Sequence, residues 1–194
     1  MSTVAIFIAV GFLLIGMVIW SVISRQRADA AWRQFASELV GAEFQQGNLF
    51  RRSKVEVPVN GRMASLDEYA VSSGDSSTVY TRLRAPLQNA GGLEFTIARR
   101  TLISNLDKLL GTKEIAIGDT EMDRLFVVRG NQEIRVRALF ANPTLRRLIG
   151  DEKSIHVRVR NSQLNLEIQG SIRDVRRLKS LFELFKAILL QLDT

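Results

Sequence analysis

Apolar and polar positions fall into four patterns along this chain, and each predicts a different element. The first is unbroken. From Val4 to Ile23, twenty residues pass with Ser21 as the only polar side chain, and the first charge is Arg25. As a helix rising about 1.5 Å per residue, that run spans roughly 30 Å, the thickness of a bilayer's hydrocarbon core. Trp20 falls near one end, where an indole prefers the interface. A cleaved leader has a shorter apolar region behind a basic start, and Met1–Thr3 carries no Lys or Arg. The pattern predicts a single transmembrane anchor over 1–24. Arg25, Arg27 and Arg33 flank it closely, so the positive-inside rule puts the N-terminus outside and the rest in the cytoplasm.

The second pattern has helical spacing. Ala28, Trp32, Phe35 and Leu39 recur on one side, with Gly41 as a stop, predicting a juxtamembrane helix over 25–41. Leu102, Ile103, Leu106, Leu109 and Leu110 form another stripe, closed by Gly111. "QEIRVRALF" and "NPTLRRLI" read as two short helices, the second started by Asn142 with Pro143 in the first helical position. In the last segment Ser171 and Asp174 have capping-box spacing. Val175, Leu178, Phe182, Phe185 and Leu189 make its apolar face, and Leu184 and Leu190 lie off that face, leaving room for a partner.

The third pattern alternates. Val55, Val57 and Val59 lead to Asn60-Gly61, and Leu66, Tyr69 and Val71 follow, which is a hairpin signal. "SSGDSS" is a loop, "TVYTRLRAP" a strand ended by Pro86, "QNAGG" a turn and "LEFTIA" a further strand. Four successive antiparallel strands predict a meander. "SIHVRVR" and "QLNLEIQ" alternate around Asn161-Ser162 as a second hairpin. The expected fold is α+β: a transmembrane helix, then one soluble domain over 42–194 with a meander sheet, a C-terminal hairpin and packed helices.

The fourth pattern is a cluster of acids. "GDTEMDRL" stands between Ile115 and Ile117 on one side and Phe126, Val127 and Val128 on the other. It reads as one helical turn, with Asp119 as N-cap and Glu121 and Asp123 near the positive end.

Composition narrows the chemistry. The length of 194 residues suits one domain, and 46% hydrophobic content argues against disorder. The absence of cysteine excludes disulfides, thiolate metal sites and a cysteine nucleophile. A net charge of +7 fits contact with anionic lipid or nucleic acid. The 21 arginines are scattered in ones and twos, however, which fits a solvated surface equally well. The calcium-loop spacing is missing, as are the nucleotide cradles and the G-x-S-x-G elbow. His156, the only histidine, sits on the polar side of its strand beside Arg158 and Arg160. No catalytic residue, metal ligand or cofactor is assigned. The binding candidates are Tyr80, Arg82 and Arg84, which share a strand face able to grip a phosphate or a single strand, and the acids Asp119 and Asp123. Arg176, Arg177 and Lys179 are lipid-facing candidates.

Trp32 with Phe35, the Tyr80–Pro86 strand, and Ile115 with Gly118–Val128 resemble features of a group of uncharacterised bacterial single-pass membrane proteins carrying a domain of unknown function. Met122 stands where that group has Phe. The resemblance implies an anchor and a domain, and no activity. The expected function is a membrane-tethered interaction or scaffold module, without catalysis, whose partners are the lipid bilayer and another protein. The alternatives are a hydrolase using Asp119 and Asp123, or a basic domain binding nucleic acid or anionic lipid.

Overall fold

The computed structural model describes residues 26–48, 52–74, 76–102 and 113–193, together with Gly16. Eight strands form one sheet: β1 (Glu43–Gln45), β2 (Lys54–Val59), β3 (Arg62–Ser73), β4 (Ser76–Pro86), β5 (Phe95–Arg99), β6 (Phe126–Gly130), β7 (Ile155–Arg160) and β8 (Gln163–Gln169). They lie in the order β1-β2-β3-β4-β8-β7-β5-β6, and each strand pairs antiparallel with its neighbours. The described α-helices are α1 (26–37), α2 (Thr120–Leu125), α3 (Glu133–Ala141), α4 (Pro143–Gly150) and α5 (Val175–Asp193), and a single 3₁₀ turn covers Arg100–Leu102.

Turn chemistry fixes the two tight hairpins. Asn60 and Gly61 have φ of 52° and 77°, and Asn161 and Ser162 have 51° and 57°. Two successive positive φ values are what a two-residue turn of type I′ requires. Between the turns, alternation sorts side chains to two faces. Leu83 and Ala85 of β4, Leu164 and Leu166 of β8, and Val157 and Val159 of β7 are buried on one of them. Each described α-helix adds to that same core, through Trp32 and Phe35, Met122, Leu139, Ile149, and Phe182 and Phe185 in turn.

α1 packs by its aromatic side, as its spacing predicts. The Trp32 indole donates to the Ile172 carbonyl at 2.9 Å, and the Phe35 ring meets Phe182 edge-on at 5.6 Å. After it, Gly41 adopts φ 73°, and a Cβ there would come within 2.9 Å of Pro58, so only glycine fits this exit. Asn142 caps α4, accepting from Thr144 and Leu145, with Pro143 first in the helix.

Several expectations need correction. No helix among the described residues is long and apolar enough to cross a membrane. The described fold is therefore an α+β domain on an eight-stranded antiparallel sheet, and the expected transmembrane helix over 1–24 is not part of it among the described residues. That segment, apart from Gly16, lies outside the described residues, as does the stripe after Leu102. The expected meander holds for β2 to β4, with β1 added at the edge, but β5 does not follow β4 in the sheet; the β7–β8 hairpin lies between them. Residues 87–94 are thus a crossover rather than a hairpin turn. It is held where Leu87 donates to the Ser162 carbonyl at 2.8 Å and Glu94 donates to the Asn131 side chain at 2.9 Å. At α5 the cap is Asp174, which accepts from Arg177 at 2.8 Å, whereas Ser171 turns away to Glu68. Leu184 belongs to the core, and Leu190 alone of the off-face pair is exposed.

The end of α5 is clamped by charge. Arg62, on the core side of β3, is buried and pairs with Asp193. It also donates to the Pro86 carbonyl at 3.0 Å, while the Asp193 carboxylate accepts from the Gln88 backbone at 3.0 Å. Removing one member of a buried pair strands the other charge without water or partner. Asp193→Ala is expected to lower unfolding free energy by about 3 kcal/mol, and Arg62→Met with Asp193→Leu to recover most of that loss. Urea midpoints test both; a single-variant shift no larger than that of the exposed Glu183→Ala would contradict the clamp.

Candidate functional site

The other face of the sheet carries the polar half of each alternation. β3 contributes Ser65, Asp67 and Tyr69; β4 contributes Tyr80, Arg82 and Arg84; β8 contributes Asn165 and Glu167; β7 contributes His156, Arg158 and Arg160. Register aligns them in rows across the strands. Asp67, Arg82, Glu167 and His156 form one row, and Ser65, Arg84, Asn165 and Arg158 form the next.

Within those rows the short side chains lie underneath and the long ones cover them. Asp67, Asn165 and Glu167 are exposed by only 9%, 7% and 6%, so the acids form a floor. Asp67 accepts a forked pair of bonds from Arg82, at 2.9 and 3.0 Å, and meets Arg84 at 3.0 Å. The Arg84 Nε donates to the Ser65 hydroxyl at 2.9 Å. The Arg82 guanidinium lies 4.7 Å over the Tyr69 ring, which stacks on Tyr80 at 5.4 Å. Glu167 lies 3.2 Å from His156 Nδ1, has Tyr69 as a further hydrogen-bond partner, and lies 3.9 Å from Arg158. Burial pushes the Glu167 carboxyl up, but the hydrogen bonds from His156 and Tyr69 and the charge of Arg158 outweigh it. The group ends below its ordinary range. Tyr69 moves the other way: burial first, then the Glu167 carboxylate, raise its phenol, so it remains a donor.

Beside these rows lies an open hollow of about 480 Å³. Arg82, Arg158 and Arg160 line it, with Ser162, Gln163 and Asn165 between them. The sequence brings Tyr80, Arg82 and Arg84 to one face as expected. Arg82 and Arg84 are tied by Asp67, though, so they form a rigid wall rather than a mobile grip. Asp67, Asn165, Arg158 and Glu167 were not singled out beforehand. Their alternation placed them on polar faces; what was missing was the adjacency of β4 and β8, which joins those faces.

The acids of the Gly-Asp turn have structural work. Asp119 is the N-cap of α2, accepting from Glu121 and Met122, both at 3.1 Å, and it meets Arg146 of α4 at 3.0 Å. The backbone bond from Met122 foremost, then those from Glu121 and the Arg146 charge, hold its carboxyl below the usual range against a smaller opposing effect of desolvation. Asp123 accepts from the Ile117 and Gly118 backbones at 2.8 and 3.1 Å. Neither shares a partner with His156. Of the expected membrane-flanking residues, Trp20 and Arg25 lie outside the described residues and Arg27 is exposed. Arg33 lies 5.3 Å over the Phe44 ring and donates to Gln46, so it packs on the domain itself. No family model, curated protein or solved structure matches the chain.

Two measurements test this geometry. A carboxyl whose folded value is depressed stabilises above its unfolded value and loses that contribution as pH falls through the folded one. Glu167→Gln is therefore expected to flatten the decline in urea midpoint below about pH 4.5, the ordinary value for this group; an unchanged slope would refute the assignment. Asn caps a helix as well as Asp does, whereas Ala does not. Asp119→Asn should keep its melting temperature close to wild type and Asp119→Ala should lose more, as read by circular dichroism. Equal losses would assign the stabilisation to Arg146 rather than to the cap.

Proposed function

We propose that this domain is a non-catalytic interaction module whose recognition surface is the open polar face of the sheet. The observation that carries the reading is the buried acid floor under an arginine layer. Burying carboxylates is costly unless they are paired and hydrogen-bonded, and here Asp67 holds Arg82 and Arg84 in fixed positions, while Glu167 is held by His156 and Tyr69. Preorganised side chains lose little freedom when a partner arrives, which favours recognition. The described helices add their apolar residues to the core on the opposite side, and on this face Arg160 is exposed and Arg82, Arg84 and Arg158 are partly exposed. The partner this surface suits is anionic, because its outermost groups, Arg158 and Arg160, are cationic. The structural partners of Asp119 and Asp123 support reading the Gly-Asp turn as architecture.

Retention on immobilised heparin tests the proposal with two charge-matched variants. Arg158→Ser with Arg160→Ser removes two charges from the open face; Arg173→Ser with Arg176→Ser removes two exposed charges elsewhere. The first pair should elute at distinctly lower salt, with the log–log salt slope reduced by about two, one for each lost contact. The second should elute near wild type. Equal shifts would mean that net charge alone sets retention, and the open face would lose its claim.

A further inference from the structure

The hollow on the open face has a chemistry of its own, and the argument rests on the reading of that face as the binding surface. At its floor lies Asn165, exposed by only 7%. Its strand register sets it directly between Arg84 on β4 and Arg158 on β7. Among the described residues, no protein group hydrogen-bonds the Asn165 side-chain amide, although that amide borders the hollow. That amide is open to the hollow rather than sealed in the sheet, so an acceptor that enters the hollow can replace water at Nδ2.

The surrounding charges indicate what that group is. Arg160 has no acceptor among the described residues, and Arg158 lies 3.9 Å from Glu167, beyond hydrogen-bonding distance. Arg82, Arg84, Arg158 and Arg160 bring four positive charges; Asp67 and Glu167 bring two negative ones. Two positive charges are left over. A carboxylate would neutralise one of them. A phosphate dianion neutralises both, and its several acceptor oxygens match guanidinium forks and an amide donor arriving from different sides. Ser162 and Gln163, at the turn that rims the hollow, add neutral donors.

We propose that this hollow binds a phosphate dianion, with Arg158 and Arg160 as its cationic arms and Asn165 Nδ2 as the donor at its floor. The dianion is either inorganic phosphate or the terminal phosphate of a monoester.

Titration of the ¹⁵N-labelled full chain with inorganic phosphate, and separately with glycerol 3-phosphate, at constant ionic strength set by chloride, tests this. Amide signals of Asn161 to Asn165 are expected to shift saturably. Arg160→Gln, at an exposed position, and Asn165→Asp, which keeps the shape but fills the site with its own carboxylate, should each weaken binding by about tenfold or more, the scale of one charge-assisted hydrogen bond. A monoester bound about tenfold tighter than inorganic phosphate identifies a larger ligand; equal affinity identifies phosphate itself. Shifts that do not saturate, or that survive both substitutions, overturn the proposal. If heparin retention still depends on Arg158 and Arg160 in that case, the open face stands and only the phosphate assignment falls; if neither is seen, both fall.

Discussion

The pairing of β4 with β8 is the constraint on which the rest of the molecule depends. It joins the meander to the C-terminal hairpin in register from Thr81 with Ile168 to Pro86 with Gln163. A slip by one residue would turn Leu83 and Leu166 toward water and drive Arg82 and Glu167 into the core. Both halves of that exchange are unfavourable: apolar area returns to solvent, and charges lose water and partners together. The register is thus specified from both faces at once. The same pairing brings Arg84 beside Asn165, so core and hollow are set by one ladder.

The sequence made the local elements legible, and the chemistry shows why. The Asn-Gly and Asn-Ser turns demand positive φ and were read from residue type. Asn142 ahead of Pro143, and Asp119 ahead of Thr120, announced helix starts through their side-chain acceptors. Contacts distant in sequence left no such mark. Nothing in "QNAGG" distinguishes a hairpin turn from a crossover, because both need flexible polar residues. The choice is made by the vacant edge of β4, which β8 fills. Likewise Ser171 and Asp174 have the spacing of a capping pair, yet Glu68, far away in the chain, takes the Ser171 hydroxyl. The candidate site was half legible for the same reason. Tyr80, Arg82 and Arg84 share one strand, so alternation found them; Asn165 and Arg158 reach them only through the sheet order.

The arginine layer also explains how a basic chain keeps an ordered surface. Forks from Arg82 onto Asp67, and from Arg177 onto Glu152 on the opposite side of the sheet, fix planar groups at two points each. Lysine has no such geometry, which fits the preference for 21 arginines over 6 lysines in this chain. Arg99 is used in a comparable way, capping the carbonyls of Gly150 and Glu152 while lying 4.8 Å over the Phe126 ring. Positive charge here is largely a structural material.

The strand order has a consequence for biosynthesis. β4 emerges from the ribosome long before β8, and its outer edge has no partner until Gln169 has been made. During that interval the nascent meander displays a row of open backbone donors and acceptors along a strand whose other side is apolar, a template on which a second chain can add. Chaperone capture at this stage, and the fate of messages cut short before β7, thus matter more for this topology than for a sheet whose neighbouring strands follow one another in sequence.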